Sequence, residues 1–172
     1  MKKFRVFVLP LYVLCLIFCS CNGLTAGYIE GTYSYKTSGV VSITNGSSTT
    51  DASLDNLMGT LDIKRLNGDS ILLIFNELNG DMVSVAAQVK GDSILMPPYQ
   101  KVFSITTTST SSIFQTNTTQ TTKYLVTLTG YGISMDNMLM FYQKIVSGKV
   151  LNSGESRSIK ANNLKTVAKK NQ

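Results

Sequence analysis

The stretch RLNGDSILLIFNELNGDMVSVAAQVKGDSILM, residues 65–96, repeats a short pattern in which a residue pair ending in glycine interrupts an apolar run. The pairs are Asn67-Gly68, Asn79-Gly80 and Lys90-Gly91. Such pairs suit the positive φ angles of a tight hairpin turn. The runs between them are about eight to ten residues long, whereas the unit of a repeat protein has roughly 20–50 residues. The stretch therefore predicts a β-meander and not a solenoid.

Alternation of apolar and polar residues supports strands along the whole chain. Residues 83–90 place valine or alanine at every odd position, and residues 29–36 and 123–129 show the same two-residue period. One face of each strand is therefore predicted to be dry and the other mostly wet. The predicted strands are 28–36, 40–44, 58–66, 70–77, 82–90, 93–107 with a break at Pro97-Pro98, 123–130 and 138–148.

About eight short antiparallel strands must bury one face and protect two edges. Closing the sheet on itself achieves both. The sequence predicts an all-β fold, a single antiparallel meander barrel. An Ig-like β-sandwich remains the alternative, and strand order distinguishes them, because a barrel pairs sequential strands and a sandwich uses Greek-key crossings.

The first twenty residues form a secretion signal. MKKFR is basic, and the apolar stretch that follows is too short and too proline-interrupted to be a convincing membrane span. Residues 16–22, LIFCSCN, resemble the lipobox of bacterial lipoproteins, which implies that Cys21 is acylated. Several acyl chains anchor a protein firmly at roughly 0.8 kcal/mol per buried methylene. The alternative is cleavage just after Cys21, which leaves a secreted protein.

Residues 21–27 are then a short linker. Bacteroidetes lipoproteins sent to the cell surface resemble one another in having acidic residues after the cysteine, and Asn22–Gly27 contains none. The expected location is the cell envelope, with the lipid on the periplasmic face of the outer membrane. All three cysteines lie at or before position 21, so the mature domain has no internal disulfide.

The positive charge is concentrated near the C-terminus. The formal charge of +6 falls to +3 once Lys2, Lys3 and Arg5 are removed, and residues 149–172 carry +5. We expect a barrel domain over 28–150 and a basic C-terminal tail over 151–172. The tail is predicted to be a solvated or lightly docked extension, a short helix, or a segment that adsorbs to anionic lipid. Nucleic acid is not an expected partner, because no aromatic residue interleaves with the cations.

Two segments depart from the strand pattern. In SSTTDASLDNLMG, Asp51 is a candidate N-cap of a short helix that Gly59 ends, and a cation site at Asp51 and Asp55 is the alternative. Residues 104–122 are rich in threonine and serine, which favours a long polar hairpin over disorder. Ser70 and Ser93 follow aspartate in a pattern that resembles O-glycosylation sites of exported Bacteroidetes proteins, although turn chemistry alone explains it.

The chemistry of most hydrolases is missing. The chain has no histidine, which removes the commonest general base and zinc ligand, and no glycine-rich phosphate loop is present. We expect no catalytic residue, no metal and no cofactor. What remains is binding, since a small barrel of eight strands is either filled by side chains or holds one small ligand. The inward aromatic residues that could line a small apolar ligand are Tyr33, Tyr35, Phe75, Tyr124 and Phe141.

Two strands place apolar residues on the outer face as well. These are Leu72 and Ile74 in one strand and Met138, Met140 and Tyr142 in another. If the two patches are neighbours, they form a docking surface for a protein partner. The simpler expectation is that the tail or the threonine-rich hairpin covers them.

The lipobox, Gly31-Thr32-Tyr33 on the first strand and the glycine-turned meander together resemble the lipocalin-like or calycin-like lipoproteins of Bacteroidetes. This resemblance implies ligand binding, with Tyr33 at the bottom of the barrel. The expected function is that of a non-enzymatic, lipid-anchored envelope protein that binds a small apolar ligand. The alternatives are an interaction protein or accessory subunit on a β-sandwich, and an enzyme or enzyme inhibitor.

Overall fold

Ten antiparallel strands make up most of the described chain. The computed structural model describes residues 24–54, 57–111, 116–135, 138–151 and 157–172, without the side chains of 107–111 and 116–118. Each of the eight predicted strands overlaps an observed one. The strands are β1 (Gly31–Ser38), β2 (Val40–Asn45), β3 (Ser48–Ser53), β4 (Leu57–Arg65), β5 (Ser70–Glu77), β6 (Met82–Lys90), β7 (Ser93–Ser111), β8 (Thr116–Met135), β9 (Met138–Val150) and β10 (Ser158–Lys170).

Eight of these strands form a closed barrel in the order β1-β4-β5-β6-β7-β8-β9-β10, and β10 pairs with β1 to complete it. From β4 to β10 each strand pairs with the next one along the chain. Sequential pairing is the connectivity of a meander, so the predicted barrel is confirmed and the Ig-like sandwich is not the fold. The architecture is consistent with a lipocalin-like fold.

The glycines of the opening stretch form the turns predicted for them. Gly68, Gly80 and Gly91 have φ angles of 59°, 89° and 59° and lie between β4 and β5, β5 and β6, and β6 and β7. An L-residue with a side chain rarely adopts these angles. The three turns therefore bring β4, β5, β6 and β7 side by side, as the sequence predicts.

The predicted helix at residues 51–59 is wrong. Residues 48–53 form β3, which pairs with β2, and β4 begins at Leu57. The carboxylate of Asp51 accepts a hydrogen bond from the Ser42 hydroxyl at 2.7 Å, across the hairpin. Asp51 thus makes a cross-strand pair, and the threonine and serine residues around it favour strands. Asp55, of the alternative cation site, lies outside the described residues.

The predicted tail is also corrected, because residues 158–170 are the strand that closes the barrel. Its buried residues include Ala161, Leu164 and Ala168, whose spacing looked helical in the sequence. A β-bulge between Ala161 and Leu164 adds a residue to the strand and produces that spacing. The barrel domain therefore continues beyond residue 150 to Lys170.

The β2–β3 hairpin extends the barrel wall beyond β1 and β4. β1 and β2 pair one after the other with the same edge of β10, with Ser38 opposite Lys165 and Ser42 opposite Lys160. Gly39 joins them at a φ of 152°, and a Cβ there would lie 2.8 Å from the carbonyl oxygen of Asn163. Only glycine fits where the chain passes this close to the bulge of β10.

The predicted threonine-rich hairpin over 104–122 is confirmed. β7 and β8 pair continuously from Tyr99–Leu128 outward to Ser111–Thr116, and residues 112–115 lie outside the described chain. The hydroxyls of Thr106 and Thr121 are 2.9 Å apart across the hairpin. The bottom of the barrel is the end where residues 24–30 enter, and this hairpin extends from the top.

The buried residues form two clusters, one above the other. The lower cluster includes Ala26 and Ile29 of the N-terminal segment, which pack into the bottom of the barrel. The upper cluster lies between β2, β7, β8, β9 and β10. The lower cluster also contains Tyr33, Tyr35, Leu61, Ile63, Ile71, Leu73, Phe75, Val85, Ala87, Val89, Ile94, Met96, Leu139, Phe141 and Ala168. The upper cluster contains Val41, Leu54, Phe103, Ile105, Tyr124, Val126, Leu128, Ile145, Val150, Ile159, Ala161 and Leu164.

The two outer apolar patches are not neighbours. One lies on β5 and the other on β9, and three strands separate them in either direction around the barrel. The expectation that a tail covers them is wrong, because β10 lies beside β9 in the sheet, with Val167 opposite Met140. Met140 is buried, while Leu72, Ile74, Met138 and Tyr142 are half-buried.

Candidate ligand-binding site

A layer of polar side chains lies inside the barrel between the two apolar clusters. Strand alternation points all of them except Tyr99 inward, because each of these follows or precedes a buried apolar residue at two-residue spacing. Tyr99 packs against both clusters. Thr37, Glu77, Gln143 and Thr166 are all buried. We call this set the polar layer. Its members are Tyr35 and Thr37 on β1, Glu77 on β5, Tyr99 and Lys101 on β7, Gln143 on β9 and Thr166 on β10.

Part of the polar layer is a chain of hydrogen bonds across four strands. The side-chain amide of Gln143 donates to the Tyr99 hydroxyl at 2.6 Å. The Thr166 hydroxyl donates to the amide oxygen of Gln143 at 3.4 Å, and the Thr37 hydroxyl lies 2.6 Å from that of Thr166. Buried hydroxyls and amides are tolerated when they are paired in this way. This side of the layer is satisfied and ties β1, β10, β9 and β7 together.

The other part of the polar layer is a buried ion pair between Lys101 and Glu77. The Lys101 ammonium also lies over the rings of Phe75 and Phe103, 5.8 and 5.4 Å from their centroids. Burial lowers the pKa of Lys101, and the Glu77 carboxylate partly counters this effect. An ammonium in such surroundings depends on its carboxylate and ring partners to remain charged.

Two polar groups near the ion pair lack hydrogen-bond partners. Among the described residues, neither the Tyr35 hydroxyl nor the second carboxylate oxygen of Glu77 has one. Burial raises the pKa of Tyr35 and of Tyr99, and the charge of Glu77 raises both further. A buried polar group without a partner costs roughly 1–3 kcal/mol. These groups leave hydrogen-bonding capacity available inside the barrel.

The barrel wall opens beside this ion pair. β6 and β7 pair only at Gln88–Leu95, Val89–Ile94 and Lys90–Ser93, near the bottom. Pro97-Pro98 coincides with a break in register between Met96 and Tyr99. Proline has no N–H to donate, and such an irregularity bends a strand. Above that point β7 diverges from β6 and leaves a gap in the wall.

A cavity of about 170 Å³ lies at this gap. Glu77 and Lys101 line it together with Asp81, and its remaining walls are mainly apolar. The turn beside it exposes Leu78 and Met82, which are 76% and 69% exposed and are the two most exposed large hydrophobic side chains of the described chain. The remaining lining residues are Met82, Val83, Gln100, Val102 and Leu125. An apolar entrance thus leads to a buried charge pair.

The aromatic residues predicted to line a ligand are all buried, but only four lie together. Tyr35 packs edge-to-face on Phe75 at 5.4 Å, and Phe75 on Phe141 at 6.1 Å. Tyr33 lies lower in the same cluster and donates its hydroxyl to the Ile29 carbonyl at 2.8 Å. Tyr124 belongs to the upper cluster. These side chains fill the interior, and Tyr35 alone of them also belongs to the polar layer.

Sequence reasoning missed Glu77, Tyr99, Lys101 and Gln143. The overlooked signal was two-residue spacing, because Glu77 continues the buried series Ile71, Leu73 and Phe75. Lys101 is likewise two residues before Phe103, and Gln143 two after Phe141. A charged residue at an inward position of a strand is the observation that could have located the polar layer.

Comparison with protein families, with curated proteins and with solved structures finds no match for this chain. Within the described ranges, no group of three or more aspartate, glutamate, cysteine or histidine residues could hold a metal ion. No helix in that part of the chain is long and apolar enough to cross a membrane.

Ser70 and Ser93, the predicted glycosylation sites, are both half-buried and begin β5 and β7. Both lie beside bottom turns of the barrel. Their modification stays a prediction. Cys21 precedes the described residues.

Proposed function

We propose that this protein is a non-enzymatic, lipid-anchored envelope protein that binds a small apolar ligand at the gap between β6 and β7. The observation that carries the proposal is the cavity at the gap, with an apolar entrance at Leu78 and Met82 and a buried ion pair behind it. Its volume is below the roughly 300–1,000 Å³ of a pocket for a drug-sized molecule. The ligand is therefore a small molecule, or one end of a longer one.

The anchoring part of the proposal relies on the lipobox-like sequence that ends at Cys21. Residue 24 is the first that the structure describes, and Ala26 and Ile29 pack into the bottom of the barrel. An acylated Cys21 would therefore hold the bottom of the barrel close to the membrane, since three residues span at most about 11 Å. The proposed location is the periplasmic face of the outer membrane.

The side chains available support the non-enzymatic part of the proposal. The chain has no histidine, and the cavity offers one paired lysine and two carboxylates as its charged groups. General acid–base catalysis works best with a group whose pKa lies near the working pH. Histidine is the side chain whose ordinary pKa lies nearest to neutral pH, and the chain has none.

Filling the cavity tests the binding site. Val83→Trp places a large side chain in the cavity, whereas Val146→Trp puts the same side chain on an exposed position of β9. We expect the mature protein to bind a fluorescent fatty-acid analogue, and Val83→Trp to weaken this binding at least about tenfold, which is roughly 1.4 kcal/mol. Val146→Trp should bind as the unmodified protein does.

An equal loss of binding in both variants would contradict the site. So would an unmodified protein that does not bind the probe and that retains no small molecule when it is isolated from its own envelope and measured by native mass spectrometry. Melting temperatures of both variants provide the control for folding.

Metabolic labelling with a fatty-acid probe tests the anchor separately. The full-length protein should be labelled and should sediment with membranes, and Cys21→Ala should abolish both. Cys19→Ala is the matched control, because it removes a neighbouring thiol and should leave labelling intact. Labelling that survives Cys21→Ala, or that is absent from the unmodified protein, would rule out lipidation at this residue.

A further inference from the structure

Four neighbouring strands of the barrel carry lysines but no acidic residue. The described residues of β7, β8, β9 and β10 include no aspartate or glutamate, whereas β3, β4 and β5 carry Asp51, Asp62 and Glu77. The outer surface of β8–β10 carries six exposed lysines, Lys123, Lys144, Lys149, Lys160, Lys165 and Lys169. We call this surface the basic face. A surface lined by one sign of charge attracts ligands of the opposite sign.

No described carboxylate forms an ion pair with any of these six lysines. The ion pair between Lys101 and Glu77 lies inside the barrel, and none of the six forms an ion pair with a described residue. All six are exposed on the outer surface of the described barrel. The sequence placed the positive charge in a C-terminal tail, but the fold spreads it over one side of the barrel through β8, β9 and β10.

A groove of about 480 Å³ lies on this face. Its floor is formed where β8 and β9 approach closely at Gly130, since a Cβ there would overlap the carbonyl oxygen of Tyr142. The β-bulge between Ala161 and Leu164 projects two exposed asparagines, Asn162 and Asn163, along one side. The groove is also lined by Leu95, Thr129, Tyr131, Tyr142, Gln143 and Lys144.

The groove combines aromatic surface with unused hydrogen-bonding groups. The rings of Tyr131 and Tyr142 stack at 5.4 Å with an interplanar angle of 28°, and Tyr131 is 47% exposed. Neither tyrosine hydroxyl, nor the Asn162 or Asn163 amide, nor the Lys144 ammonium forms a hydrogen bond with a described residue. Lys165, opposite Tyr142 on β10, adds a second cation beside the ring pair.

We propose that this groove binds an anionic saccharide. Tyrosine rings pack against the C–H faces of pyranose rings, amides and phenolic hydroxyls pair with sugar hydroxyls, and the two lysines pair with carboxylate or similar substituents. An apolar peptide would leave the amides and ammonium groups unpaired under it. A flat lipid surface would not enter a concave groove on the side of the barrel. The proposal does not depend on the ligand at the β6–β7 gap.

The test measures binding of an oligogalacturonate to the mature protein by titration calorimetry, beside a neutral oligosaccharide of equal length, inorganic polyphosphate and vesicles containing anionic phospholipid. We expect the oligogalacturonate to bind, and Tyr131→Ala and Lys144→Gln each to weaken it about tenfold, the effect of losing roughly 1.4 kcal/mol. The matched controls are Tyr28→Ala and Lys64→Gln, which make the same changes on other surfaces and should leave the affinity unchanged.

Asn163→Ala, which removes one exposed amide, should weaken binding several-fold and serves as a second variant if Tyr131→Ala alters the melting temperature. No binding of the oligogalacturonate would overturn the proposal. Oligogalacturonate binding that Tyr131→Ala and Asn163→Ala leave unchanged would also overturn it. So would polyphosphate or vesicles that bind as tightly as the oligogalacturonate and lose affinity equally in the variants. Each of these outcomes would show attraction to charge without recognition of sugar.

Discussion

The lower and upper halves of the barrel enclose their buried clusters with different sets of strands. In the lower half all eight strands surround an aromatic and aliphatic cluster, and residues 24–30 close the end. In the upper half β5 and β6 have ended at the Gly80 turn, and the cluster is enclosed by the longer strands and the β2–β3 hairpin. The polar layer lies at the boundary. A complete wall excludes water and permits an apolar interior, whereas the end of two strands creates an opening where charged groups are retained.

The candidate site therefore lies where the wall is incomplete, and the lower core positions it. Phe75 illustrates the link, because its ring packs on the rings of Tyr35 and Phe141 and lies 5.8 Å from the Lys101 ammonium.

The largest expected effect comes from removing β10, which belongs to both halves. A chain that ends at residue 150 loses the pairings of β10 with β1, β9 and β2, and its barrel cannot close. We expect no cooperative thermal unfolding by circular dichroism. A chain that ends at Lys170 is the control and should unfold cooperatively. A cooperative transition in the shorter chain would mean that residues 151–172 are an appendage after all.

Next is a matched pair of core truncations. Phe141→Ala in the lower cluster should reduce the free energy of unfolding by about 3–5 kcal/mol, because the complete wall cannot collapse around the cavity. Phe103→Ala in the upper cluster should cost less, roughly 2–3 kcal/mol, since the open side allows Lys101 and water to fill the space. Urea denaturation of both variants provides the measurement. Equal losses would remove the distinction between the halves.

The ion pair at the boundary should show non-additive energetics. Lys101→Met leaves the buried Glu77 carboxylate without its counter-ion and should destabilise the protein by about 3 kcal/mol. The double variant Lys101→Met, Glu77→Leu should recover most of this loss, because breaking a buried pair is worse than replacing both partners. A double-mutant cycle in urea checks it. Additive losses would show that the two side chains act independently.

The smallest expected effect is a loss of stability at high pH. The pKa values of Tyr35 and Tyr99 are raised above the unfolded value of 10.0 by burial, so above pH 10 the native state keeps protons that the unfolded state releases. Stability from these groups is present below pH 10 and is lost as the pH rises further. The lowered pKa of Lys101 acts oppositely, but only below its unfolded value of 10.5.

Thermal unfolding between pH 8 and pH 12 measures this dependence. Tyr35→Phe and Tyr99→Phe should each make the decline shallower, while Tyr131→Phe, at an exposed tyrosine, should leave it unchanged. An identical decline in all three variants would assign the effect to groups outside the polar layer.

Much of the wall could be predicted from the sequence because its signals are local. Asn67-Gly68 and Asn79-Gly80 specify turns through backbone sterics, and two-residue alternation marks the strands between them. The two failures have local causes as well. The bulge in β10 imitated helical spacing at Ala161 and Leu164, and Asp51 resembled a helix cap although it pairs with Ser42 across a hairpin.

The sequence by itself determined the all-β class, the turn positions and the inward location of the core aromatics, because each depends on neighbours within a few residues. Only the tertiary structure decided that β10 closes the barrel, that Glu77 meets Lys101, and that lysines far apart in the chain share one face with Tyr131 and Tyr142. These features depend on register and on strand order around a closed sheet. A closed sheet brings together residues from distant parts of the chain, and their spacing along the sequence carries no record of it.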